Sequence, residues 1–113
     1  MNLNNFTIKA QEVVEHSLEI VRQKRQQIIE PAHLMKSIMT EAESIVNFLF
    51  QKIGVNTQHF ANILEKEIDS YPKVTGGEPH LGREVKAILQ TAIDISSKLG
   101  DRYVSVEPIV LLY

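Results

Sequence analysis

Apolar residues recur near the start of the chain at Ala10, Val13, Val14, Leu18 and Val21, with small Ser17 among them. The i, i+3, i+4, i+7 spacing puts them on one stripe, as an amphipathic helix packed on a core requires. The pattern predicts a first helix from about Ile8 to Arg25, capped by the Thr7 hydroxyl and closed by positive charge at Arg22, Lys24 and Arg25. Pro31 suits the opening of a second helix, because its φ is preset and the N–H it lacks would have no partner there. Leu34, Met35, Ile38 and Met39 make that helix's inward face. Val46, Leu49, Phe50 and Ile53 predict a third helix from Ile45, stopped at Gly54; Asn56 caps a fourth that carries Phe60, Ile63, Leu64 and Ile68.

The stretch SYPKVTGGEPH, residues 70–80, interrupts the periodicity with two prolines and a Gly-Gly pair and reads as a linker. Leu81, Val85, Ile88, Leu89, Ala92, Ser96 and Leu99 then form a new stripe, so a fifth helix is predicted from Gly82 to Leu99, ended by Gly100. Ser105 can cap a sixth. The fold class expected is all-α.

A shift of 75 residues lays Ala10, Val13, Val14, Leu18 and Ile20 over Val85, Ile88, Leu89, Ile93 and Ile95 without a gap. It also lays Ile29, Leu34 and Met35 over Val104, Ile109 and Val110. Apolar volume kept while identities drift is the mark of an old structural duplication. The organisation expected is a first helical repeat over 1–69, a linker over 70–80, and over 81–113 a second repeat that stops after its second helix begins.

Composition narrows the chemistry. With 113 residues, 43% hydrophobic and 6% aromatic, the chain can build one modest core, mostly aliphatic. A net charge of −2 gives no long-range pull toward nucleic acid or an anionic bilayer, so neither is expected as a partner. There is no cysteine and no secretory pattern near Met1, and a cytoplasmic location is expected. Nothing matches the phosphate-cradling pattern G-x-x-x-x-G-K-S/T, and Gly76-Gly77 runs into Glu78 and Pro79. His16, His33, His59 and His80 have no metal-ligand spacing. Glu65, Glu67 and Asp69 read as a solvated helix face, and the basic run RQKRQ, residues 22–26, as compensation of a helix dipole. The expectation is a protein with no enzyme activity, cofactor or metal of its own.

The segments NNFTIKAQEVVE, IIEPAHLMKSIM, FLFQKIGVN, PKVTGGEP and LGDRYVSVEPIVLL, in that order, resemble the duplicated Clp N-terminal domain, and specifically that of ClpB-type disaggregases. The resemblance covers nearly the whole chain. It implies a module of two four-helix repeats set ahead of two ATP-hydrolysing modules, in a ring of six identical subunits that recruits unfolded or aggregated polypeptide. ATP and magnesium would then belong to the parent protein, with a co-chaperone or adaptor as a further partner. On this resemblance the chain is expected to be a piece of a longer protein, whose later helices would cover apolar faces of helices five and six. Self-association or lowered stability relative to a longer chain follows as an expectation. An adaptor-docking domain of a protease-coupled Clp unfoldase is the alternative reading.

The resemblance also maps a substrate groove onto the fifth helix and the start of the sixth. Its polar positions fall on Thr7, Asp101 and Glu107 and its apolar positions on Thr91, Ile95 and Pro108; Thr91 and Pro108 depart from the usual aliphatic residues. Each of the polar three also has a structural role open to it: Thr7 as a cap, Asp101 after a helix-ending glycine, Glu107 at a helix N-terminus. Ile20 and Ile95 lie at the border of their stripes, where a side chain either lines a groove or packs under the adjoining loop; for Ile20 packing is favoured. A groove covering roughly 200–300 Å² of apolar surface contributes about 5–7 kcal/mol at ~25 cal/mol per Å². Association costs at least ~4 kcal/mol, which leaves affinity on the order of high micromolar to millimolar and makes several copies necessary for capture.

Overall fold

Thr7 closes the open end of α1 (Ile8–Gln23), where its hydroxyl accepts from the Ala10 N–H at 3.1 Å, as the spacing predicted. The computed structural model describes residues 2–113. After α1 come β1 (Ile28–Ile29), α2 (Pro31–Glu41), α3 (Glu43–Ile53), α4 (Thr57–Asp69), β2 (His80–Leu81), α5 (Arg83–Lys98) and α6 (Val106–Leu112). Pro31 opens α2, and Gly54 stops α3 with a φ of 74°. The Asn56 side chain accepts from His59 N–H at 2.9 Å and caps α4.

α1 and α2 form the centre of the core. Val13, Val21, Leu34, Met35 and Ile38 are buried between them. Ser17 and Ser37 sit in the same layer, small enough to let the two helices approach, and their hydroxyls donate to the carbonyls of Val14 and Val13. A buried hydroxyl left unpaired would cost more than its small volume gains, so the carbonyl partners are what make serine tolerable here. On the surface the Lys24 ammonium donates to Glu65 at 2.6 Å and to Asp69 at 2.7 Å, and Lys36 reaches Glu65 at 2.8 Å, pinning α4 to α1 and α2. Those two lysines hold the Glu65 carboxyl below its ordinary value.

The hydrogen bonding repeats at the 75-residue step found in the sequence. At the end of α1, Lys24, Arg25 and Gln26 donate to the carbonyls of Ile20, Arg22 and Val21; at the end of α5, Leu99, Gly100 and Asp101 donate to those of Ile95, Ser97 and Ser96. Both ends pass through one left-handed residue, Arg25 at φ 58° and Gly100 at φ 76°, in the Schellman arrangement. The first helix was expected to reach Arg25, but it stops at Gln23 because of that turn.

The two halves also exchange backbone pairs. Phe6 bridges Val104, while Ile28 and Ile29 pair in parallel with His80 and Leu81. The 75-residue step carries Phe6 to Leu81 and Ile29 to Val104, so each half lends the stretch before its long helix to the stretch before the other half's second helix. Accordingly the Thr7 N–H donates to the Val104 carbonyl at 2.8 Å, and Gly82 N–H to that of Ile29 at 2.9 Å. Gly82 stands where Thr7 stands in the first half for a steric reason. A Cβ there would lie 2.8 Å from Ile28 Cγ2 and 2.9 Å from the Ile29 carbonyl.

Some stripe positions are not buried. Ile53, Ile63 and Leu99 are exposed, the first at the last residue of α3 and the last one residue beyond α5, where no facing element reaches. Ile20 is buried, in keeping with the packing role.

Candidate functional site

The groove positions gather where α5 ends and α6 begins, on the side where the first half inserts Phe6 and Thr7. Thr91 and Ile95 lie one turn apart on α5, Thr91 exposed and Ile95 half-buried. Asp101 follows the left-handed turn at Gly100, and its backbone N–H donates to Ser96 while its carboxylate stays in solvent. Glu107 and Pro108 fall in the first turn of α6, with Glu107 exposed and Pro108 half-buried. Thr7 reaches this rim through its N–H bond to Val104. Its hydroxyl is used in capping α1, and the polar three make no hydrogen bonds to one another.

Apolar surface at the rim comes from residues that the groove mapping missed. Ile8 is 75% exposed, Leu99 72% and Tyr103 50%. Ile8 directly follows Thr7, and Leu99 and Tyr103 bracket Asp101 by two residues on either side. Arg102 stacks its guanidinium over the Tyr103 ring at 5.6 Å, which leaves the ring accessible from its other face. Leu99 already stood in the stripe of the fifth helix, whereas Ile8 and Tyr103 lie outside any stripe.

The same framework is closed in the first half. The 75-residue step sends Thr91, Ile95, Asp101, Glu107 and Pro108 to His16, Ile20, Gln26, Ala32 and His33. All of these but His16 are buried. Gln26 donates its amide to the Ile68 carbonyl at 2.7 Å, and its oxygen pairs with His33 Nε2 at 2.6 Å. His33 Nδ1 accepts the Glu30 N–H at 2.9 Å, so the proton sits on Nε2 and the ring is neutral. The Tyr71 ring packs on His33 with centroids 5.3 Å apart.

Burial lowers the His33 pKa from its ordinary 6.5 to about 4, with Lys36 and Lys24 adding to the effect. Between those values the unfolded chain binds the proton and the folded chain does not, so stability falls as pH drops from about 6.5 to about 4. The loss expected from this one side chain is about 2 kcal/mol, measured by urea unfolding across that window. A His33→Gln variant should show a flatter slope.

No helix among the described residues is long and apolar enough to cross a membrane, and no group of three potential metal ligands occurs among them. The arrangement is a helical domain in which Gln26 and His33 are buried beside the end of α4, while Leu99, Asp101, Tyr103 and Glu107 are exposed. The chain belongs to the Clp repeat (R) N-terminal domain family, whose model matches residues 5–112. It is 49% identical over 111 residues to the chaperone protein ClpB of Bacteroides thetaiotaomicron, a match covering 98% of this chain and 13% of that protein. It is 46% identical over 111 residues to ClpB of Porphyromonas gingivalis, with the same coverage of 98% and 13%. The chain thus spans only about an eighth of the length of these relatives.

Solved structures agree on the fold. The Hsp104 N-terminal domain from Candida albicans superposes with a TM-score of 0.85 at 18% identity, over 96% of this chain and 73% of that one. The N-terminal domain of the ClpV1 ATPase from Escherichia coli gives 0.87 at 16% identity, over 95% and 66%. A further structure of this fold, described as a peptide from the SciI protein, also gives 0.87 at 16% identity, over 95% and 68%.

Proposed function

We propose that the chain is the N-terminal substrate-recruiting module of an ATP-driven disaggregase and that it holds unfolded or aggregated polypeptide weakly on the α5–α6 rim. Residues 1–69 and 81–113 act as two copies of one unit joined by 70–80. One observation carries the reading: Thr7, Asp101 and Glu107 stand at the starts of α1 and α6 beside exposed Ile8, Leu99 and Tyr103. Exposed Ile8, Leu99 and Tyr103 supply apolar contact without a shaped cavity, which suits a partner defined by looseness more than by sequence. Nucleotide hydrolysis, with its magnesium, belongs to other parts of the longer protein, and a cytoplasmic six-membered ring multiplies the weak contacts.

Fluorescence anisotropy with a labelled, permanently unfolded polypeptide tests this. Asp101→Lys and Glu107→Lys change exposed side chains and should leave the fold intact. Each is expected to weaken binding about tenfold, equivalent to ~1.4 kcal/mol. Unchanged affinity in both variants would remove the rim from the account.

The second reading, docking of an adaptor, draws support from the SciI-peptide structure of the same fold. A folded partner that competes with unfolded polypeptide for the rim, and binds more tightly, would favour it.

A further inference from the structure

The basic run at residues 22–26 has no part in the rim, and its chemistry is not explained by the helix end alone. Lys24 is turned onto Glu65 and Asp69, and the last carbonyls of α1 already accept from the N–H groups of Lys24, Arg25 and Gln26. Arg22 approaches Glu19 only at 3.8 Å, and Arg25 makes no ion pair among the described residues. Arg25 also holds a left-handed backbone, φ 58°, where its counterpart in the second half is Gly100. That conformation suits glycine and is strained for any residue with a Cβ. At 22 the counterpart is Ser97. Both guanidinium groups are therefore additions to the shared framework, and one sits where the backbone disfavours it. Strain of this kind points to a use for the side chain.

Arg22 and Arg25 line an open cleft of about 410 Å³, shared with Gln26 and the loop from Val74 to Pro79. The loop is tied at both ends, by the Val74 N–H to the Arg25 carbonyl at 2.8 Å and the His80 N–H to that of Gln27 at 3.0 Å. Between the ties, the backbone N–H groups of Thr75, Gly76, Gly77 and Glu78 have no hydrogen-bond partner among the described residues. Gly76 and Gly77 both take positive φ, 77° and 84°, and the Gln27 amide nitrogen lies 2.7 Å from where a Gly77 Cβ would be. Glu78 is the one carboxylate on the lining, against two guanidinium groups.

We propose that this cleft binds an acidic polypeptide segment, whose side-chain carboxylates pair with Arg22 and Arg25 while its backbone carbonyls accept from the loop. The donor set is guanidinium, amide and free N–H, which matches carboxylate and peptide oxygen. The cleft has far more room than a single oxyanion fills, which favours a chain over a free anion. The site is independent of the rim and opposite to it in charge. The 75-residue step places Gln26 in the cleft where the rim has Asp101. One module thus offers a basic and an acidic surface at corresponding places.

The test is an amide-resolved NMR titration of the 113-residue chain with an Asp/Glu-rich peptide, its Asn/Gln analogue, and inorganic phosphate. The acidic peptide is expected to shift residues 22–26 and 74–79 saturably, and the analogue not to. Arg25→Gly copies Gly100, so it should unfold at the same or a higher midpoint and yet bind the acidic peptide at least about fivefold more weakly. Glu78→Gln should bind it more tightly. Equal binding of the analogue, the same shifts from phosphate alone at matched concentration, or full affinity in the Arg25→Gly chain would each overturn the assignment.

Discussion

Phe6→Ala is expected to lower the unfolding free energy by about 4 kcal/mol, read from urea denaturation at neutral pH. Phe6 is 2% exposed and lies at the seam where the two halves exchange backbone pairs. Its neighbours on either side are held by the Val104 N–H to the Asn5 carbonyl at 2.7 Å and the Thr7 N–H to that of Val104 at 2.8 Å. Those bonds keep the surroundings from collapsing onto the missing ring, so the substitution should leave a cavity as well as lose apolar burial. Domains of this size have ~5–15 kcal/mol in total, so the loss is a large share of it. Because the ring joins both halves, probes on α1 and α5 should still report one transition, at lower urea. A loss below about 1.5 kcal/mol, or separate transitions for the two helices, would show that the halves do not share a core through this contact.

Gln26→Leu is the second large effect, expected at about 2 kcal/mol. The side chain would keep its volume but strand the buried His33 Nε2–H, which pairs only with Gln26 among the described residues, while the Ile68 carbonyl keeps the Tyr71 N–H at 3.2 Å. An unpaired buried polar group costs roughly 1–3 kcal/mol, partly offset by the added apolar burial of leucine. The corresponding substitution in the second half, Asp101→Leu, changes an exposed side chain and should stay within about 0.5 kcal/mol. Measuring both in one urea series compares a buried and an exposed position of the same framework. Equal losses would mean that the two faces are not as different as their burial indicates.

The helices were legible because aliphatic spacing and caps agree: Thr7, Pro31, Gly54 and Asn56 each sit at a boundary that their chemistry predicts. The end of α1 was not, because arginine gives no sign of a left-handed turn; only alignment with Gly100 at the 75-residue step hints at it. The two-residue strands were also hidden. They are held by exchange between distant segments, and two residues are too few for an alternating pattern to show. The buried pairing of His33 was not legible, because its partners, Gln26 and Tyr71, are 7 and 38 positions away and carry no metal or catalytic spacing.

For the rim, the resemblance supplied Thr7, Asp101 and Glu107, and the structure sets all three around the Phe6–Val104 bridge and the start of α6. Thr91 and Pro108 offer little grease, and the exposed surface comes from Ile8, Leu99 and Tyr103, which lie at helix ends and in a loop. Leu99 belongs to the stripe of the fifth helix and is nevertheless 72% exposed, so stripe membership at a helix end does not imply burial.

The most direct test of polypeptide capture by the open half is an amide-resolved chemical-shift titration with a permanently unfolded polypeptide free of acidic clusters. Fast-exchange shifts confined to residues 5–8 and 91–108, with a Kd on the order of high micromolar to millimolar, are the expected result. Shifts centred instead on the outer face of α3 around Phe48 and Ile53, or none at millimolar concentration, would contradict it.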